Sequence, residues 1–166
     1  MKERPIIKLE LTTTDKIFEL LGWLLIVAVW WLTFKNYSNL PDTIPTHYNG
    51  AGQADGFGGK TSIFTMPFNA TISFIGLTVL NKFPHIFNYP TNITSENAFR
   101  QYTNATRLIR SVKLIIVFIF GLVTFNTVQT AKGEADGLGV WFTPITMGLI
   151  FIPLIYYIVR SVKNKQ

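Results

Sequence analysis

Four apolar runs constrain this chain before anything else does: 17–34, 63–80, 114–131 and 140–159. At about 1.5 Å per residue, each makes a helix of roughly 27 Å, close to the hydrocarbon thickness of a bilayer. In lipid every backbone N–H and C=O must be satisfied within the spanning structure, and a helix does this alone. The runs predict an all-α membrane protein of four transmembrane helices, a single membrane domain over 1–166. The first run ends in Trp30, Trp31 and Phe34, bulky aromatics that suit a membrane interface and not a signal-peptide cleavage site. Pro67 is expected to kink the second run. Asn69 and Asn126 are the intramembrane polar residues to watch, and hydrogen bonding between helices is their expected role. Glu19 lies within a turn of the first run's start, in reach of Lys16. No ionisable residue falls near the middle of a run, which argues against proton pumps, ion channels and voltage sensors.

The charges supply an orientation. Of 15 Lys and Arg, twelve fall in the N-terminal segment (Lys2, Arg4, Lys8, Lys16), the segment 81–113 (Lys82, Arg100, Arg107, Arg110, Lys113) and the C-terminal tail (Arg160, Lys163, Lys165). Lys35, Lys60 and Lys132 occupy the other side. The positive-inside rule then puts both termini and 81–113 in the cytoplasm and the polar loop 35–62 outside a cell membrane. Because the basic residues flank apolar runs, the net charge of +6 points to anionic lipid and not to nucleic acid. The chain has no cysteine, which excludes disulfides and thiolate chemistry.

Within 81–113, Thr94 reads as an N-cap with Glu96 in the first turn. Ala98, Phe99, Tyr102, Ala105, Leu108, Ile109 and Val112 then recur every three or four residues. Arg100, Arg107 and Arg110 lie between them. This predicts a basic amphipathic cytoplasmic helix leading into the third span, its arginines at the level of anionic headgroups.

The chemistry is concentrated in the outer loop, at 40–60: LPDTIPTHYNGAGQADGFGGK. Its end, ADGFGGKT, imitates a phosphate-binding loop, but that motif needs a preceding strand and a following soluble helix. The ligand-binding candidates are His47, Tyr48, Asn49, Asp55 and Lys60, with Pro41, Pro45 and Gly52 shaping the loop. The plainest reading is a compact turn with Asp and Gly at turn positions and His47 bonded to backbone. The sharper readings are contact with a peptide or ligand, or a weak metal or acid–base pair of His47 and Asp55. A convincing metal site needs three or four ligands, so no cofactor is predicted and the metal stays unassigned.

The loop resembles the signature of the bacterial membrane family called domain of unknown function 1648, approximately LP-x-x-IP-x-H-[FY]-N-x-x-G-x-x-D-x-x-x-x-K. Pro41, Ile44, Pro45, His47, Tyr48, Asn49, Gly52, Asp55 and Lys60 fall on it, and the stretch from Phe87 to Lys113 is similar to the cytoplasmic segment of single-domain members. The resemblance implies a small bundle of transmembrane helices in the bacterial plasma membrane. It also implies a relation to the N-terminal region of SdpI-type proteins, which give immunity to a secreted toxin and take part in signalling. This chain is shorter than those. The expected function is that of a non-enzymatic immunity or sensor protein, binding a secreted peptide or envelope component through the outer loop. A membrane enzyme or metal site at His47 and Asp55 is the alternative, and a small transporter or lipid-handling subunit the second. Oligomeric state is not legible.

Overall fold

The computed structural model describes residues 4–163; Lys2 and Lys165, counted above, lie outside them. Four helices in it are long and apolar enough to cross a membrane, which makes the chain a multi-pass membrane protein. The first, α1 (Thr13–Tyr37), starts at a reciprocal cap. The Thr12 hydroxyl accepts from Asp15 N, and Thr12 N donates back to the Asp15 carboxylate at 2.9 Å. Such a box satisfies two of the backbone donors that a helix start leaves free.

After α1 the chain is not all-α. Strands β1 (Thr43–Tyr48) and β2 (Ala54–Gly59) pair antiparallel as a hairpin. Five glycines and two prolines within 40–60 masked the alternation by which a strand is read from sequence. A 3-10 turn, Lys60–Phe64, leads into α2 (Thr65–Leu80). Pro67 therefore falls in the first turn of α2, where a missing N–H costs nothing, and not in the interior of the helix.

Helix α3 (Ala98–Ala131) is one unbroken helix of 34 residues. At about 51 Å it exceeds a bilayer core by far, so its first turns project beyond the membrane span at the end opposite the hairpin. Its start also differs from expectation. Asn97 stands at the N-cap position without a side-chain cap bond, and the reciprocal bonds lie one turn earlier, with Thr94 N donating to Asn97 Oδ1 at 3.0 Å and Asn97 N to Thr94 Oγ1 at 3.4 Å. Helix α4 (Phe142–Lys163) carries Pro153 in its interior.

Helix α3 is the hub. It packs on α1, α2 and α4, and α1 also touches α2. Where the first three meet, Ile26, Ala70, Phe74 and Val117 form a buried cluster. Gly22 makes room there: a Cβ on it would stand 2.6 Å from Phe74 Cζ. A second cluster, Leu40, Ile44, Ile63 and Val128, seats the hairpin on the helix ends. Helix α4 lies at the margin, with Ser161 its one buried residue. Ser161 Oγ donates to Gln101 Oε1 at 2.5 Å, and Asn104 Nδ2 donates to Tyr157 O at 2.8 Å, tying α4 to the projecting part of α3.

The projecting part of α3 does not present the stripe expected of it. Ala98 and Tyr102 are buried, but so are Gln101, Asn104, Thr106, Arg110 and Lys113, while Phe99 is exposed. The reason is two carboxylates on α1. Arg110 Nη1 donates to Asp15 Oδ1 at 3.3 Å, Arg107 Nε lies 3.7 Å from the same oxygen, and Lys113 Nζ donates to Glu19 Oε2 at 2.6 Å. Glu19 thus pairs with Lys113 and Arg110 instead of Lys16. Lys113 is fully buried, donates also to the Thr78 hydroxyl, and stands 4.3 Å from the centroid of the Phe74 ring. The intramembrane asparagines bridge no helices either. Asn126 Nδ2 donates to Leu122 O of its own helix, and Asn69 is exposed on α2.

Before α1 the chain is an extended strap. Along 4–10 exposed and half-buried residues alternate, with Pro5, Ile7 and Leu9 inward. Tyr102 Oη donates to Pro5 O at 3.0 Å, and Arg4 donates to His85 O and Phe87 O at 3.0 and 2.6 Å. Arg4 also lies over the Tyr89 ring. Burial pushes the Tyr89 phenol well above its ordinary range, so it stays a donor to Pro84 O.

Candidate functional site

The hairpin is built by the residues that mark the loop in the sequence. Asn49 organises its tip. Asn49 Oδ1 accepts from Ala51 N and Gln53 N, both at 3.0 Å, and Asn49 Nδ2 donates to Gln53 Oε1 at 3.1 Å. An Asn side chain bonding backbone two to four residues on is a standard turn builder. Gly52 completes the turn at φ 79°, in the left-handed region that a Cβ disfavours.

The tip is then docked. Gly52 O accepts from Leu138 N at 2.7 Å, in the connection between α3 and α4. A Cβ on Gly52 would run into the Gly139 backbone, and one on Gly137 into the Gly52 carbonyl. Tyr48 Oη shares a hydrogen bond of 2.8 Å with Thr127 Oγ1 on α3. At the other end of the hairpin, Lys60 pairs with Asp42 at 3.0 Å and lies 5.9 Å from the Tyr37 ring centroid. Pro45 is buried, and Pro41 is exposed. The glycines that imitate a phosphate loop are strand β2 and the corner after it, a strand where that motif needs a loop.

Two opposed bulges distinguish the middle of the hairpin. The register runs Pro45 to Phe57, then His47 to Gly56, then Tyr48 to Ala54. Thr46 is thus extra on β1 and Asp55 extra on β2. Bulges bend a strand locally and re-aim its side chains. Here they bring His47 Nδ1 to 2.5 Å from Asp55 Oδ1. Gly56, facing His47, leaves space for this, since a Cβ there would stand 2.9 Å from that of His47. The pair is open to its surroundings, with 72% of the His47 side chain and 43% of the Asp55 side chain exposed.

The hairpin therefore sorts its polar residues. Tyr48, Asn49 and Lys60 are engaged within the fold. His47 and Asp55 engage one another and face outward, in place of the expected bond from His47 to backbone. Among the described residues no group of three or more His, Cys, Asp or Glu could hold a metal ion. Sequence reasoning singled out all five residues but missed Thr127, Gly137 and Leu138 as the hairpin's seat. The Gly-rich KGEADGLG connection was the available signal.

The model of the domain of unknown function DUF1648 matches residues 24–71, which cover the latter half of α1, the hairpin and the start of α2. An uncharacterized protein of Archaeoglobus fulgidus is 31% identical over 88 residues, 48% of this chain and 48% of the relative. The chain spans about half the length of that curated relative. No solved structure matches it.

Proposed function

We propose that this is a non-enzymatic membrane protein of the immunity or sensor type, whose hairpin faces outward and binds a secreted peptide or envelope component. One observation carries this reading. The hairpin is fastened to α3 through Tyr48 and the cluster of Ile44 with Val128, and to the α3–α4 connection through Gly52, yet its exposed surface holds a side-chain pair, His47 and Asp55, with no structural task beyond the hairpin itself. Polar groups on a rigid, docked loop contact a ligand with little ordering cost. The twelve-to-three division of Lys and Arg supports the outward orientation, with both termini cytoplasmic. The resemblance to the DUF1648 signature, and the relation to SdpI-type immunity proteins that it implies, supports a peptide as the ligand class. A catalytic reading would use the same pair, with His47 as general base toward water or a substrate and Asp55 orienting it.

His47→Ala and Asp55→Asn are expected to leave expression unchanged and the unfolding free energy within about 1 kcal/mol of wild type, as befits exposed partners. Both should abolish protection or signalling in a deletion strain challenged with membrane-active peptides. Full complementation by both variants would refute the reading.

A further inference from the structure

A cavity of about 420 Å³ lies at the end of the molecule opposite the hairpin. Such a volume is in the range of small-molecule sites. The strap forms one wall through Ile7, Leu9 and Leu11, and the other walls include Arg110, Lys82, Asn81 and Glu19. It is apolar on one side and cationic on the other. We propose that this cavity binds a phosphate-bearing amphiphile, its phosphate at Arg110 and Lys82 and its alkyl part against Ile7, Leu9 and Leu11.

Three observations carry the assignment. First, the ion network behind the cavity does not balance. Two carboxylates, Asp15 and Glu19, face three cations, Arg107, Arg110 and Lys113. Arg107, the third cation, is a third exposed, so the surplus is shared with solvent and leaves this end of the network net positive, which favours an anion beside it. Second, Arg110 has a side chain 9% exposed, and its Nε makes no hydrogen bond. Glu19 Oε1 lies 3.3 Å from that nitrogen but out of line. A guanidinium with a spare N–H is suited to a phosphate oxygen. Third, Asn81 Oδ1 is also buried without a partner, though Asn81 Nδ2 reaches Thr106 O at 3.2 Å. An acceptor left over beside a cation fits a headgroup that carries a hydroxyl or ammonium donor as well as a phosphate. Glu19 also lines the cavity, and its charge is offset by Lys113 Nζ at 2.6 Å. The phosphate ester could come from the bilayer or from solution, and the chemistry recognised is the same.

The test uses full-length protein in neutral detergent and reads unfolding temperature against added phosphatidylglycerol, diacylglycerol or glycerol phosphate. Lys82→Glu alters the cavity without touching the ion network; Lys163→Glu, at the same end but outside the cavity, controls for bulk charge. Phosphatidylglycerol should stabilise wild type, and Lys82→Glu should raise its half-saturating concentration about tenfold, the size of one lost charge-assisted contact. Lys163→Glu should leave it unchanged. Stabilisation by phosphatidylglycerol alone assigns a membrane lipid, and equal stabilisation by glycerol phosphate assigns a soluble ester in the same site. Equal responses of wild type and Lys82→Glu, equal losses in both variants, or diacylglycerol acting as well as phosphatidylglycerol would overturn the proposal.

Discussion

Glu19→Gln should destabilise the protein by about 3–5 kcal/mol, the usual cost of removing one partner from a buried ion pair. Lys113→Met should cost less than about 1.5 kcal/mol, although Lys113 is the more buried residue. The asymmetry follows from the charge balance. Without the Glu19 charge a single carboxylate faces three cations, and Lys113 keeps the Thr78 hydroxyl, the Phe74 ring and a neutral amide acceptor in place of its counter-ion. Without Lys113 two carboxylates face two arginines, and Glu19 still has Arg110 at 3.3 Å. Methionine nearly matches the lysine stem in volume and suits a contact with Phe74. Thr78 loses nothing, since its hydroxyl already donates to Phe74 O. Denaturant unfolding of the two variants in detergent measures the order, and a costlier Lys113→Met would show that the balance of charge is not what holds these helices together.

The second large effect is expected at Gly52. Gly52→Ala places a side chain at φ 79° and drives its Cβ into the Gly139 backbone, which has no flexible end to move aside. Left-handed geometry alone costs roughly 1–2 kcal/mol, and loss of the bond from Leu138 N adds about 1. The hairpin should lift from its seat while the helices stay folded. Limited proteolysis within 49–56 should then be faster by about tenfold, in line with local opening made more favourable by 1.4 kcal/mol or more. If the proposed function is right, Gly52→Ala also loses the biological response with His47 and Asp55 intact. An unchanged cleavage rate would mean that the hairpin is not held through this contact.

How much of this was legible in the sequence depends on the range of the interaction. The four helices were, because lipid imposes length and hydrophobicity on each segment by itself. The continuity of the basic helix with the third span was legible for the same reason. Which way Arg110 and Lys113 face was not. Their carboxylate partners stand 95 and 94 residues away on another helix, and the periodicity of one helix cannot see them. The expectation that charge faces water therefore failed where α1 supplied countercharge. The hairpin lay between these cases. His47, Asn49 and Asp55 stood out as polar residues in a turn-rich loop. The two bulges that join His47 to Asp55 depend on register, and glycines and prolines hid the alternation that would have shown it. The helix boundary at Pro67 was misjudged by two residues, which puts the proline in the first turn of α2.

The central claim is that the hairpin presents His47 and Asp55 outside the membrane. The chain has no cysteine, so a single introduced thiol reports its side without background. Ala51→Cys, exposed at the hairpin tip, and Glu96→Cys, exposed at the opposite end, can be treated with a membrane-impermeant maleimide on intact cells and again after permeabilisation. The predicted result is full labelling of Ala51→Cys on intact cells and of Glu96→Cys only after permeabilisation. The reverse pattern would place the hairpin inside the cell and contradict the account.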